Sequence, residues 1–276
     1  MSKISKADAV SYLGITLKEF NNYFNLSKEI SGEKIRGRWY FERSELIEWK
    51  QLKDSRTINL ARNDYEKCFE FAIRMAYGGM SLHGIRGQRS EVQAADDVIL
   101  GILAEHALQQ FLKSKFSTII KLDEDVHTTD ITPQDIDFVI ENGVSRRPKI
   151  GVGVKASKMK NAFLVLGANE VESSSRKSDV YVFVRVGLPS DHLFRILREH
   201  SFFKNAKDLL EQDDQSRKIE PLDQVPVWIC GFVSANDLKK VTSIPGQEFT
   251  NGHRYVKSVS KLRNSDKDWG EFVKQL

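Results

Sequence analysis

The chain has 276 residues, of which 40% are hydrophobic and 29% charged, with 42 Lys and Arg against 38 Asp and Glu. That length accommodates one large domain or a small one plus a medium one, and the composition excludes a disordered or fibrous chain. The surplus of four positive charges admits a polyanionic partner without demanding one, and two distant cysteines without CxxC spacing argue against a zinc site or a disulfide framework.

No apolar run is long enough to span a bilayer, and Met1-Ser2-Lys3 leads into a polar helix rather than a signal peptide. The expected compartment is therefore a reducing cytoplasm, with no membrane partner.

In chain order, Ala7 to Leu13 and Leu17 to Phe24 read as two short helices around Gly14-Ile15-Thr16. Thr16 is an expected N-cap, with Glu19 three residues on completing a capping box. The segment SGEKIRGRWYF reads as a small basic hairpin, and Ser44 to Trp49 opens a third helix. Residues from about Asp54 to Arg89 read as a linking helix and a loop, GIRGQRSE, in which Arg86 and Arg89 are candidate DNA contacts. From Val92 to Phe116, apolar residues recur at three and four residue spacing, which predicts a long helix with one buried stripe. Glu105 borders that stripe, either as a solvated side chain or as a carboxylate aimed at a site.

The most informative stretch follows. In DIDFVI, Asp135 and Asp137 share parity, so a period-two strand puts both carboxylates on one face. After the turn Glu141-Asn142-Gly143, the run Ile150 to Ala156 places Gly151, Gly153 and Lys155 on one face and Ile150, Val152 and Val154 on the other. Glycine in a strand marks a place where something approaches the backbone closely. Carboxylates on one strand and an ammonium on its neighbour suit a divalent cation and a phosphodiester oxygen, because Mg2+ takes hard oxygen ligands.

At these residues the chain resembles the PD-(D/E)xK nuclease superfamily, and more narrowly the type II restriction endonucleases. Asp137 and Lys155 match the outer positions of the pattern, while Gly153 stands where the second strand carries Asp or Glu. Some enzymes of this group, those cutting CCGG and CCNGG sites, are similar in carrying the second carboxylate on a helix about a dozen residues beyond the lysine. Glu170, with Glu172 as its neighbour, stands near that place. The resemblance implies Mg2+ held by Asp137, Glu170 and Asp135, with Lys155 beside the attacking water and Glu105 as a further catalytic carboxylate. It implies an α/β fold with a mixed central sheet flanked by helices over 56–276, and a homodimer on double-stranded DNA.

Residues 1–55, as helix, turn, helix, basic hairpin, helix, resemble a MerR-like or excisionase-like winged helix-turn-helix. In that reading Lys18, Asn21 and Asn22 face a groove of the DNA, while Arg36 and Arg38 on the wing meet phosphates. A docking or dimerisation unit is the alternative for this module. Lys158, Lys160, Asn161, Arg176 and Lys177 flank the expected site and are further candidate DNA contacts. Beyond them, DVYVFVRV and VPVWICGFV read as central strands, and Ser234 to Leu238 as the cap of a helix. Two other readings stay open: a DNA-binding regulator that keeps the fold without the chemistry, and a structure-specific repair nuclease.

Overall fold

The computed structural model describes residues 3–77, 90–122, 135–174, 177–213, 218–250 and 252–276. The N-terminal part runs β1 (Lys3–Ser5), α1 (Lys6–Leu13), α2 (Leu17–Asn21), a π-helical turn (Asn22–Leu26), β2 (Glu33–Ile35), β3 (Arg38–Glu42) and α3 (Arg43–Ser55). The Thr16–Glu19 capping box starts α2, and Gly14 ends α1 in the left-handed region at φ 66°. Arg36 and Gly37 both have positive φ, at 46° and 85°, which gives the tight two-residue link between β2 and β3. Strands pair antiparallel in the order β1-β3-β2.

The rest continues with β4 (Thr57–Ala61), α4 (Arg62–Tyr77), α5 (Glu91–Phe116), β5 (Ile119–Leu122), β6 (Ile136–Glu141), β7 (Val144–Arg146), β8 (Val152–Lys158), β9 (Phe163–Gly167) and α6 (Ala168–Glu172). Then come β10 (Val180–Val186), α7 (His192–Leu197), α8 (Ser201–Gln212), β11 (Gln224–Ser234), β12 (Lys239–Val241), β13 (Ser243–Ile244), β14 (Gln247–Glu248), β15 (Arg254–Ser258) and α9 (Asp266–Gln275). The protein is thus a mixed α/β structure with several sheets. Its central sheet has the order β4-β11-β10-β8, with β10 and β8 parallel and the other pairs antiparallel. Strands β5, β6 and β7 form a second sheet, and β12, β15 and β9 a third.

Two of these elements differ from the sequence expectation. The linking helix is interrupted at its start by β4, because Thr57-Ile58-Asn59-Leu60 pairs with Val225 to Trp228 and completes the edge of the central sheet. Ser234 caps only a 3-10 turn, Ala235–Asp237.

The central sheet buries both faces. On one, Val152 and Val154 of β8, Val180, Val182, Val184 and Val186 of β10, and Val225, Val227 and Ile229 of β11 pack against Ile99, Leu103, Leu108 and Phe111 of α5. On the other, Tyr181, Phe183, Trp228 and Cys230 share a cluster with Phe20, Tyr23, Phe24, Phe41 and Leu46 of the N-terminal part. Residues 3–55 therefore rest their own apolar interior on the sheet. Arg185, with 0% of its side chain exposed, seals this joint: its guanidinium lies 2.9 Å from Glu29, and its Nε donates to the Asn161 carbonyl at 2.6 Å.

Candidate functional site

β8 is an edge strand of the central sheet, and the segment entering β6 lies along it. The Asp135 N–H donates to the Val152 carbonyl at 3.2 Å, and the Asp135 carboxylate accepts from the Val154 N–H. One side chain thereby satisfies an edge amide that has no strand partner on that side. Two residues on, Lys155 projects from β8 to the face opposite α5, and its Nζ lies 2.8 Å from Glu170 Oε2. The other Glu170 oxygen accepts from the Gly167 N–H at 3.0 Å, which fixes the carboxylate at the first turn of α6.

Burial works against the charge on Lys155, but the carboxylates of Glu170 and Asp135 outweigh it and hold the pKa above the ordinary lysine value. Lys155 is accordingly an ammonium throughout the neutral range. It can neutralise negative charge and donate hydrogen bonds, but it does not accept a proton from water at neutral pH.

Asp137 is placed differently. Leu122 pairs with Ile136 and Lys121 with Phe138, so Asp137 is the extra residue of a bulge in β6. The bulge lets Ile136 and Val139, three residues apart, both reach the core on the α5 side. It also ends the strict alternation on which a shared face for Asp135 and Asp137 depends. The carboxylates acting most strongly on Lys155 are those of Glu170 and Asp135. Glu105 is half-buried on α5, the helix that covers the opposite face of the sheet.

The spacing of Glu170 and Glu172 left the choice between them open, and the geometry separates them. Glu172 Oε1 accepts from Tyr255 Oη at 2.8 Å, Lys240 Nζ at 3.0 Å and His253 Nε2 at 2.9 Å. These bonds, Tyr255 foremost, hold its pKa down at about 2. Glu172 anchors α6 to the third sheet, while Glu170 turns to Lys155.

Gly153 is not an open position. It pairs across β8 and β10 with Tyr181, and a Cβ on Gly153 would lie 2.8 Å from Ser178 Oγ and 3.0 Å from the Tyr181 ring. Tyr181 Oη in turn donates to the Glu170 carbonyl at 2.6 Å and accepts from the Ser178 N–H at 3.2 Å. The aromatic ring fills the space where a side chain at 153 would begin, and its hydroxyl holds α6 at the Glu170 carbonyl, so Tyr181 positions Glu170. The sequence pattern put Tyr181 on an alternating strand but could not give its register against Gly153.

The candidate nucleic-acid contacts fall into separate places. Lys18, Asn21, Asn22, Lys160 and Asn161 line one groove of about 700 Å³ between α2 and the turn after β8. Asn22 Nδ2 donates across it to the Lys160 carbonyl, and Asn161 Nδ2 donates to Ser157 Oγ. Arg36 and Arg38 are exposed on the β2–β3 hairpin, and Lys177 is exposed after α6, its N–H bonded to the Ser173 carbonyl at 3.0 Å. Lys158 lies 3.5 Å from Asp96, on the α5 side. Arg86, Arg89 and Arg176 lie outside the described residues.

Among the described residues no group of three or more His, Cys, Asp or Glu side chains is arranged to hold a metal ion, and no helix is long and apolar enough to cross a membrane. No protein-family model, curated protein or solved structure matches the chain.

Proposed function

We propose that this protein is a Mg2+-dependent endonuclease acting on double-stranded DNA, of the type II restriction kind, on a restriction-endonuclease-like fold with a winged-helix-like N-terminal module. The observation that carries the reading is the meeting of Asp135, Lys155 and Glu170, from three separate segments, around β8. Two carboxylates beside one ammonium fit a Mg2+ ion, which uses one or two protein carboxylates and leaves its other positions to water and phosphate. Bound to Asp135 and Glu170, the ion would supply charge neutralisation and an activated water.

The chain's own residues do the rest. Lys155, permanently charged, offsets the negative charge that builds on phosphorus as water adds and the bridging P–O bond breaks to give a phosphomonoester and a hydroxyl. Tyr181 and Glu172 hold α6 so that Glu170 stays in reach. Asp135 replaces Asp137 as the principal acidic residue, with Asp137 and Glu105 outside the reacting set. Lys18, Asn21, Asn22, Lys160 and Asn161 contribute DNA contacts from one groove, and Arg36 and Arg38 from the hairpin. A homodimer fits a palindromic target.

The direct Lys155–Glu170 ion pair favours a second reading, in which the pair is structural and the protein binds DNA without cutting it. Supercoiled plasmid incubated with Mg2+ separates the two. Asp135→Ala should slow nicking by about 100-fold to 1000-fold, the range for losing one strong electrostatic contributor, whereas Asp137→Ala should leave the rate within a few-fold of wild type. Plasmid left intact by a wild-type protein that still retards DNA in a gel decides for the non-catalytic reading.

A further inference from the structure

Both oxygens of Glu170 are engaged in the free protein. Oε2 lies 2.8 Å from the Lys155 ammonium, and Oε1 accepts the Gly167 N–H at 3.0 Å. The Asp135 carboxylate is engaged as well, by the Val154 N–H. A divalent cation held by these two carboxylates therefore competes with an ammonium for Glu170, and separating a carboxylate from its ammonium is costly unless each finds another partner.

The neighbouring positions of the sheet do not offer Lys155 a replacement anion. Gly153, two residues before it on β8, brings no side chain, and the space beside it is filled by Tyr181, whose hydroxyl is committed to the Glu170 carbonyl at 2.6 Å. An anion from outside can reach it, because the Lys155 and Glu170 side chains are 32% and 39% exposed. The lysine stem is long and flexible enough for the ammonium to change partner.

The charges point the same way. Two carboxylates against one ammonium leave the cluster of Asp135, Glu170 and Lys155 with a single net negative charge. A divalent cation alone turns that balance positive, and a phosphodiester alone makes it more negative. The two together bring it to neutrality, the arrangement of lowest electrostatic cost where water is partly excluded.

On the reading of this cluster as a Mg2+ site, we propose that Lys155 gates it: the ammonium holds Glu170 while DNA is absent, and a phosphodiester oxygen draws the ammonium away and so opens Glu170 to the cation. Metal and DNA binding are then positively coupled, each raising the affinity for the other by the same factor. The Lys155–Glu170 pair is the resting state of the site rather than a strut of α6, which Tyr181 and Glu172 already hold.

The test uses the full chain and Ca2+, a hard cation that takes the same oxygen ligands as Mg2+. Two quantities are read: the affinity for Ca2+ without DNA, by calorimetry, and the retardation of linear plasmid fragments in Ca2+ against EDTA. Wild type should bind Ca2+ alone weakly and hold DNA about tenfold or more tighter when Ca2+ is present. Lys155→Met, which keeps an apolar stem and removes the charge, should bind Ca2+ alone about tenfold or more tighter than wild type, with the Ca2+ effect on DNA binding cut to about twofold or less. Lys155→Gln carries the same comparison should Lys155→Met not fold. Equal Ca2+ affinity in wild type and variant, a Ca2+ effect on DNA that the variant keeps in full, or Ca2+ binding without any effect on wild-type DNA binding overturns the gate and leaves the Mg2+ site standing. No saturable Ca2+ binding in either protein, together with no Ca2+ effect on retardation, removes the metal site itself and the gate with it.

Discussion

The two faces of the central sheet are built from the same strands and differ in kind. Toward α5, β10 presents Val180, Val182, Val184 and Val186; toward the N-terminal part, the same strand presents Tyr181, Phe183 and Arg185. The valine face is shape and buried area, worth roughly 1.5–3 kcal/mol per fully buried side chain. The other face carries a glycine, a lysine, a phenol and a guanidinium, each with a specific partner. The sheet here gives the middle of one face to aliphatic packing and sets Lys155, Tyr181 and Arg185 on the other.

The sharpest way to break that division is to remove the guanidinium. Arg185→Met would leave Glu29, 5% exposed, buried without its partner, at a cost of about 3–5 kcal/mol in urea unfolding. The double variant Arg185→Met with Glu29→Met should recover most of that loss, because the cost is of an uncompensated charge rather than of lost packing.

A smaller effect is expected at Gly153. Gly153→Ala drives a methyl group to 2.8 Å from Ser178 Oγ and 3.0 Å from Tyr181, so it should destabilise by about 1–3 kcal/mol, as overpacking does. The same change at Gly101, where an added Cβ meets nothing within 4 Å, should be stabilising by up to about 1 kcal/mol, since alanine suits a helix interior better than glycine. Equal effects at the two sites would mean that the Tyr181 contact is slack.

The smallest effect tests a polar chain on the α5 side. Tyr65 Oη lies 2.6 Å from His192 Nδ1, and His192 Nε2 lies 2.8 Å from Asp96. With Asp96 accepting from Nε2–H, Nδ1 is left to accept from Tyr65. Burial holds the His192 pKa below its ordinary 6.5, against the pull of Asp96. The unfolded chain therefore takes up the proton first as pH falls below 6.5, and stability should decline there and be level above it. Melting temperature against pH from 8 down to about 5 should show this slope, and His192→Gln should remove it.

Much of this was legible in the sequence, and what was not has definite causes. The stripe on α5 and the alternation in β10 were readable because each element carries its own period. The Thr16–Glu19 cap was readable because its partners are three residues apart. β4 was hidden because its five residues sit between two helices and find their partner in β11, far along the chain. A bulge leaves no mark in a run such as IDFVIE, so parity alone placed Asp137 beside Asp135. The difference between Glu170 and Glu172 rests on Lys240, His253 and Tyr255, which local spacing does not see. Tyr181 needed the register of β8 against β10.

The Gly153–Tyr181 contact has a consequence for substitution. A side chain cannot be accommodated at position 153 while the ring is present, and removing the ring first would loosen the hold on α6. Each single change is therefore unfavourable, so substitutions at these two positions should be tolerated only together.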